Sequence, residues 1–134
     1  MNRIVHFEIH ANDIARCVNF YKTVFGWHME EWKGLGQEYW MVMTAPREST
    51  EPGINGGLLI RGGKEPEQGM GPNAFVCTVQ VDDIDATMKA IEAAGGTLQI
   101  PKFDIAGMAW QVYYKDTEGN IFGVHQTKTK ENKD

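Results

Sequence analysis

An internal repeat constrains this chain more than any other feature. Asp13-Ile14 recurs as Asp83-Ile84, and at the same spacing of 70 residues Gly26 recurs as Gly96. In each half an Asp stands where a helix N-cap is wanted, an apolar stripe follows at helical spacing, and a glycine closes the segment. The first stripe is Ile14, Cys17, Val18, Tyr21 and Phe25; the second is Ile84, Thr87, Met88 and Ile91, ending at Gly95-Gly96. Strand patterns surround both helices, so each half reads strand, helix, strand, strand, strand. The expected architecture is α+β: two tandem βαβββ modules forming a curved mixed eight-stranded sheet with helices on its outer face.

The opening strand, Ile4 to His10, places Val5, Phe7 and Ile9 on one face and His6, Glu8 and His10 on the other. A helix must cover the apolar face, which directs the three ionisable groups into the concavity. By the same rule Phe75, Cys77 and Val79 meet the second helix, and Val76, Thr78 and Gln80 face inward. Trp27 to Trp32, Glu38 to Thr44 and Gly56 to Arg61 complete module 1, with a turn at Gly34-Leu35-Gly36. Ala74 to Val81, Thr97 to Ile100, Ala109 to Lys115 and Asn120 to Gln126 are the strands of module 2. The single domain spans 1–127, made of module 1 (1–61), linker 62–73 and module 2 (74–127). The charged segment 128–134 is expected to be disordered. Pro101 to Met108 reads as a long loop, a lid or a hairpin connection.

Composition narrows the partners. A net charge of −5 argues against nucleic acid and anionic membrane surfaces. No apolar run reaches the roughly 18–20 residues that span a bilayer, and Met1-Asn2-Arg3 leads into a strand, not a signal peptide. The two cysteines, Cys17 and Cys77, fit reduced core thiols of a cytoplasmic protein.

His6 in the seventh position before Asp13, Phe20-Tyr21 before Phe25-Gly26, the paired modules and the closing Lys115-Asp116-Thr117-Glu118-Gly119-Asn120 turn carry a resemblance. From Arg3 to Gln126 the chain resembles the vicinal oxygen chelate superfamily of glyoxalase I, extradiol dioxygenases, and bleomycin and fosfomycin resistance proteins. Pro52-Gly53-Ile54-Asn55-Gly56-Gly57-Leu58 and Gly119-Asn120-Ile121-Phe122-Gly123 are most similar to bacterial glyoxalase-like proteins described as predicted enzymes related to lactoylglutathione lyase. The resemblance implies a homodimer and a small-molecule ligand or substrate.

It also implies metal ligands on the first and fourth strands of each module. Those positions fall on His6, a residue near Leu58, Val76 and Gly123. Valine, leucine and glycine side chains offer no donor, whereas a catalytic divalent site commonly needs three protein ligands. No metal site and no cofactor are therefore expected; a site with relocated ligands is the alternative. His6 and Glu8, about 6–7 Å apart along the strand, can share an ion, while His10 is about 13 Å from His6.

The remaining chemistry is acid–base. Glu8 and His6 are the candidate catalytic pair, a base with an orienting partner. Candidate ligand-binding residues are His10, Tyr39, Trp40, Asn55, Thr78, Trp110 and Tyr113, which supply aromatic surface and polar contacts. The expected activity is glyoxalase-like isomerase, epimerase or lyase chemistry. A metal-free binding protein of bleomycin-resistance type is the alternative.

Overall fold

The computed structural model describes residues 3–34, 36–67, 69–71 and 75–129. Leu35 of the predicted turn, Pro72-Asn73 of the linker, Ala74 of the predicted strand and residues 130–134 of the tail lie outside them. The chain divides into two compact units, 1–65 and 66–134.

Unit 1 contains β1 (Phe7–Ala11), α1 (Ile14–Phe25), β2 (His28–Glu31), β3 (Tyr39–Met43) and β4 (Gly56–Ile60) in a four-stranded sheet of order β1-β4-β3-β2. β1 and β4 run parallel, and the other neighbours are antiparallel. Asp13 caps α1 by accepting a hydrogen bond from the Arg16 amide at 3.0 Å, and Gly26 ends it at φ 71°. That left-handed conformation is one a side chain with a Cβ resists. Cys17, Phe20 and Tyr21 turn into the core, and Tyr21 stacks on Trp27 with centroids 5.1 Å apart. Phe7 lies 6.2 Å from Trp27, so the apolar face of β1 meets the aromatic cluster at the helix end.

Unit 2 repeats the plan with β5 (Thr78–Gln80), α2 (Ile84–Ala93), β6 (Thr97–Ile105), β7 (Ala109–Lys115) and β8 (Ile121–Thr127), in the order β5-β8-β7-β6. Asp83 accepts from the Ala86 amide at 3.1 Å, and Ile84 and Ile91 are buried. Val112, Tyr114 and Val124 are fully buried beneath α2, with the Tyr114 hydroxyl donating to Glu92 of that helix at 3.0 Å. Asp116 folds the closing turn by accepting from the amides of Glu118 and Asn120 at 2.8 and 2.9 Å. The α+β class and the βαβββ plan are as expected from the repeat.

Several expectations are corrected. β1 starts at Phe7, and Ile4 and Val5 are exposed ahead of it. β5 is only three residues long, which leaves Phe75 and Cys77 outside it and exposed. Cys77 is therefore not a core thiol, whereas Cys17 is buried. The segment read as a loop from Pro101 is strand: β6 continues to Ile105, paired with β7 through register shifts after Leu98 and Ile100. β6 is the edge of its sheet, where proline is tolerated because its missing N–H would face outward. Only 106–108 turn. Lys128 does not begin a loose tail: it is buried, its amide donates to Met108 at 2.8 Å, and its ammonium meets Asp104 at 2.6 Å.

Candidate functional site

On the sheet face of unit 1 away from α1, β3 presents Tyr39, Met41 and Met43, because alternate residues share a face. Glu8 of β1 and Gly57 of β4 stand opposite one another on that face. His6, immediately before β1, reaches the same place. Its Nε2 lies 2.9 Å from the Tyr39 hydroxyl, and that hydroxyl donates to Glu8 Oε2 at 3.2 Å. The sheet thus brings His6, Tyr39 and Glu8 into one chain of hydrogen bonds.

Gly57 makes the arrangement fit. A Cβ built on it would stand 1.8 Å from the Tyr39 hydroxyl oxygen, so the phenol occupies the space of an absent side chain. Burial, followed by the hydrogen bond to Glu8 and its negative charge, raises the Tyr39 pKa above the ordinary 10.0. Tyr39 therefore stays a neutral donor at physiological pH.

Beside this trio lies an open cavity of about 510 Å³, lined by His6, Trp32, Tyr39, Met41, Met43, Asn55 and Gly56. Trp32 meets Tyr39 edge-on at 6.5 Å, and the two methionines supply flexible apolar wall. Asn55 is engaged structurally as well: its Oδ1 accepts from the Thr44 amide at 2.9 Å and from the Thr44 hydroxyl at 3.2 Å. Sequence reasoning missed Trp32, Met41 and Met43. Their signal was present, since Met41 and Met43 share the alternation phase of Tyr39.

Other candidates lie elsewhere. His10 is at the far end of β1, where its carbonyl accepts from Arg61 Nη2 at 2.9 Å. Trp40 has the opposite phase from Tyr39, pairs with buried Leu58 on the helix-covered face, and donates to Glu38 at 3.1 Å. Thr78, Trp110 and Tyr113 belong to unit 2. Trp110 shares its face with buried Val112 and Tyr114, and the ammonium groups of Lys102 and Lys128 stand 4.6 and 3.9 Å from its ring centroid. Tyr113 stacks with Phe103 at 6.3 Å.

Unit 2 carries its own version of the unit 1 arrangement. Gly123 pairs with Thr78 as Gly57 pairs with Glu8. A Cβ on Gly123 would stand 2.6 Å from Gln111 Nε2 and 2.6 Å from Thr78 Oγ1. Gln111 fills that space and spans the strands, donating to Thr78 at 3.3 Å while its Oε1 lies 2.9 Å from His125 Nδ1. Gln111 on the third strand of unit 2 thus stands where Tyr39 stands in unit 1.

These pairings locate the metal positions that the resemblance implies. The fourth-strand position of unit 1 that matches Gly123 is Gly57, one residue before Leu58, whose side chain is buried on the other face. Both positions are glycines, and both are filled by a neighbour's polar side chain. Among the described residues no three His, Cys, Asp or Glu side chains gather as a metal cluster. The residues at those positions do not fit a divalent ion.

Residues 3–44 match the family described as bleomycin resistance protein-like N-terminal. No curated protein sequence matches the chain significantly. Similar solved structures include a glyoxalase-related enzyme from Fulvimarina pelagi, at 16% identity and TM-score 0.68, covering 94% of this chain and 88% of that one. A glyoxalase/bleomycin resistance protein/dioxygenase family enzyme from Burkholderia phytofirmans PsJN is 19% identical, with TM-score 0.68 and coverage of 92% and 97%. The fosfomycin resistance protein FosX from Mesorhizobium loti is 13% identical, with TM-score 0.65 and coverage of 98% and 97%. Among the described residues no helix is long and apolar enough to cross a membrane. With its two βαβββ units and these neighbours, the chain has the fold of the vicinal oxygen chelate superfamily.

Proposed function

We propose that the chain is a glyoxalase-like small-molecule enzyme that works by acid–base chemistry without the divalent metal implied by the resemblance. The observation that carries this reading is the Tyr39 hydroxyl joined to both Glu8 and His6 on the wall of an apolar cavity. A carboxylate, a phenol and an imidazole in series can hold and pass a proton, and the cavity keeps a substrate beside them. His6 and Glu8 are the acid–base pair, and Trp32, Met41 and Met43 favour a flat or apolar substrate. Enolisation-type isomerisation, epimerisation and β-elimination begin with proton removal next to a carbonyl or similar acceptor, which this set can perform. The working unit in this reading is a homodimer, to be checked by sedimentation.

The test is solvent deuterium uptake. A panel of carbon acids, including α-hydroxy ketones and hemithioacetals, is incubated with the protein in deuterated buffer containing a chelator and followed by proton NMR. Exchange that is lost in Glu8→Gln and His6→Ala, with the fold retained, is the expected result. Exchange that needs added metal, or that persists in both variants, refutes the proposal. The match of residues 3–44 favours a second reading, in which the cavity only sequesters a flat ligand. Binding unaffected by Glu8→Gln, with no exchange of any panel member, is its signature.

A further inference from the structure

We infer that Tyr39 is a positioning residue that fixes the tautomer of His6: Nε2 carries the ring proton, and Nδ1 is the basic atom of the site. The argument rests on counting protons along the chain. A carboxylate only accepts, so the single hydroxyl proton of Tyr39 goes to Glu8. At 3.2 Å that bond is longer than an ordinary hydroxyl bond, yet the reverse orientation would set oxygen lone pairs of Tyr39 and Glu8 against each other. With its proton committed, the Tyr39 oxygen can only accept from His6, across 2.9 Å. Nε2 must then be the protonated nitrogen. The raised Tyr39 pKa agrees with a phenol that keeps its proton.

Among the described residues Nδ1 of His6 has no hydrogen-bond partner, and the ring lines the cavity. A neutral imidazole protonated at Nε2 has its basic lone pair on Nδ1. This assignment deepens the acid–base reading and rests on it for its use. When a carbon acid gives up its proton, the C–H bond breaks, an N–H bond forms at Nδ1, and the electron pair stays on the substrate. The imidazolium so formed holds its Nε2 proton against Tyr39, and the Glu8 carboxylate stabilises the new positive charge through the phenol. Gly57 belongs to the same device, because any Cβ there would displace the hydroxyl that orients the ring.

The test needs no substrate. Long-range proton–nitrogen correlation on the ¹⁵N-labelled full chain distinguishes protonated from bare ring nitrogens, and a His6→Gln spectrum identifies His6 among the four histidines. The neutral His6 of the wild type is expected to show protonated Nε2 and bare Nδ1. Tyr39→Phe removes the acceptor, and Gly57→Ala displaces it. Each should lower the Nε2–H to Nδ1–H ratio by roughly fivefold, the factor that one net hydrogen bond supplies. Protonated Nδ1 in the wild type, or a ratio unmoved by both variants, overturns the inference. Failure of the acid–base reading appears instead in the deuterium experiment, where a correctly assigned His6 would exchange nothing.

Discussion

Replacing Gly123 by alanine tests how rigidly the space at the fourth strand of unit 2 is filled. The added Cβ would lie 2.6 Å from Gln111 Nε2, 2.6 Å from Thr78 Oγ1 and 3.1 Å from Tyr113 Cε1. The backbone has little room to retreat, since β8 is paired on both sides and the Gly123 amide donates to Cys77 at 2.9 Å. The amide of Gln111 must swing away, breaking its contacts to Thr78 and His125. Gln111 is only 4% exposed, so the displaced amide finds little water. Two net hydrogen bonds cost about 2 kcal/mol and an unsatisfied buried amide about 1–3 kcal/mol more. Removing glycine from the unfolded chain returns about 0.4–1 kcal/mol. The expected net loss is about 3 kcal/mol, read in urea as a midpoint lowered by about 1.5 M for a slope near 2 kcal/mol/M. In a double-mutant cycle, Gln111→Ala vacates the space, so Gly123→Ala should cost about 1–2 kcal/mol less in that background. A single-variant loss below about 0.5 kcal/mol, or strict additivity, would refute the filled-space account.

The other predictions concern pH. Tyr114 is fully buried, and burial followed by its bond to Glu92 pushes its pKa from 10.0 up to about 12. The folded state holds that proton more tightly than the unfolded state, so the associated stability is complete below pH 10 and disappears as pH rises towards about 12. The loss is about 3 kcal/mol, at 1.36 kcal/mol per pH unit, and denaturant titration of Tyr114→Phe should lack that alkaline decline. At the acid end, the hydrogen bond from Lys128 is the chief cause holding the Asp104 carboxyl below its ordinary 3.8. That contribution is present above pH 3.8 and is lost as pH falls through the lower folded value. Lys128→Met should flatten the acid limb of the stability curve, read by denaturant titration between about pH 2 and 6.

The repeat was legible because its signals are local. An aspartate accepting from an amide three residues on, and a glycine ending the first helix, act within one turn of chain. In α1 the apolar stripe holds the buried Ile14, Cys17 and Tyr21 but passes over Phe20, which is fully buried, while Val18 and Phe25 are only half-buried. Strand extent was less legible. Pro101 reads as a breaker, but at a sheet edge its missing donor costs nothing, so β6 runs through it. Phase was harder still. Trp40 and Trp110 stand 70 residues apart, and both take the helix-covered phase, although aromatic residues fit either face of a strand. The bridge from Tyr39 to His6 and Glu8 was not legible at all. It depends on a contact with Gly57 across two strands, which no spacing along the chain encodes.

The paired glycines have a consequence for anyone building on this sheet. A carboxylate introduced at position 123 would meet Gln111 already in its place, and a donor introduced at 57 would meet Tyr39. Neither donor can be added by one substitution without displacing the neighbour that fills the gap. A metal ligand at either position therefore requires a paired change, with Gln111 or Tyr39 shortened in the same step.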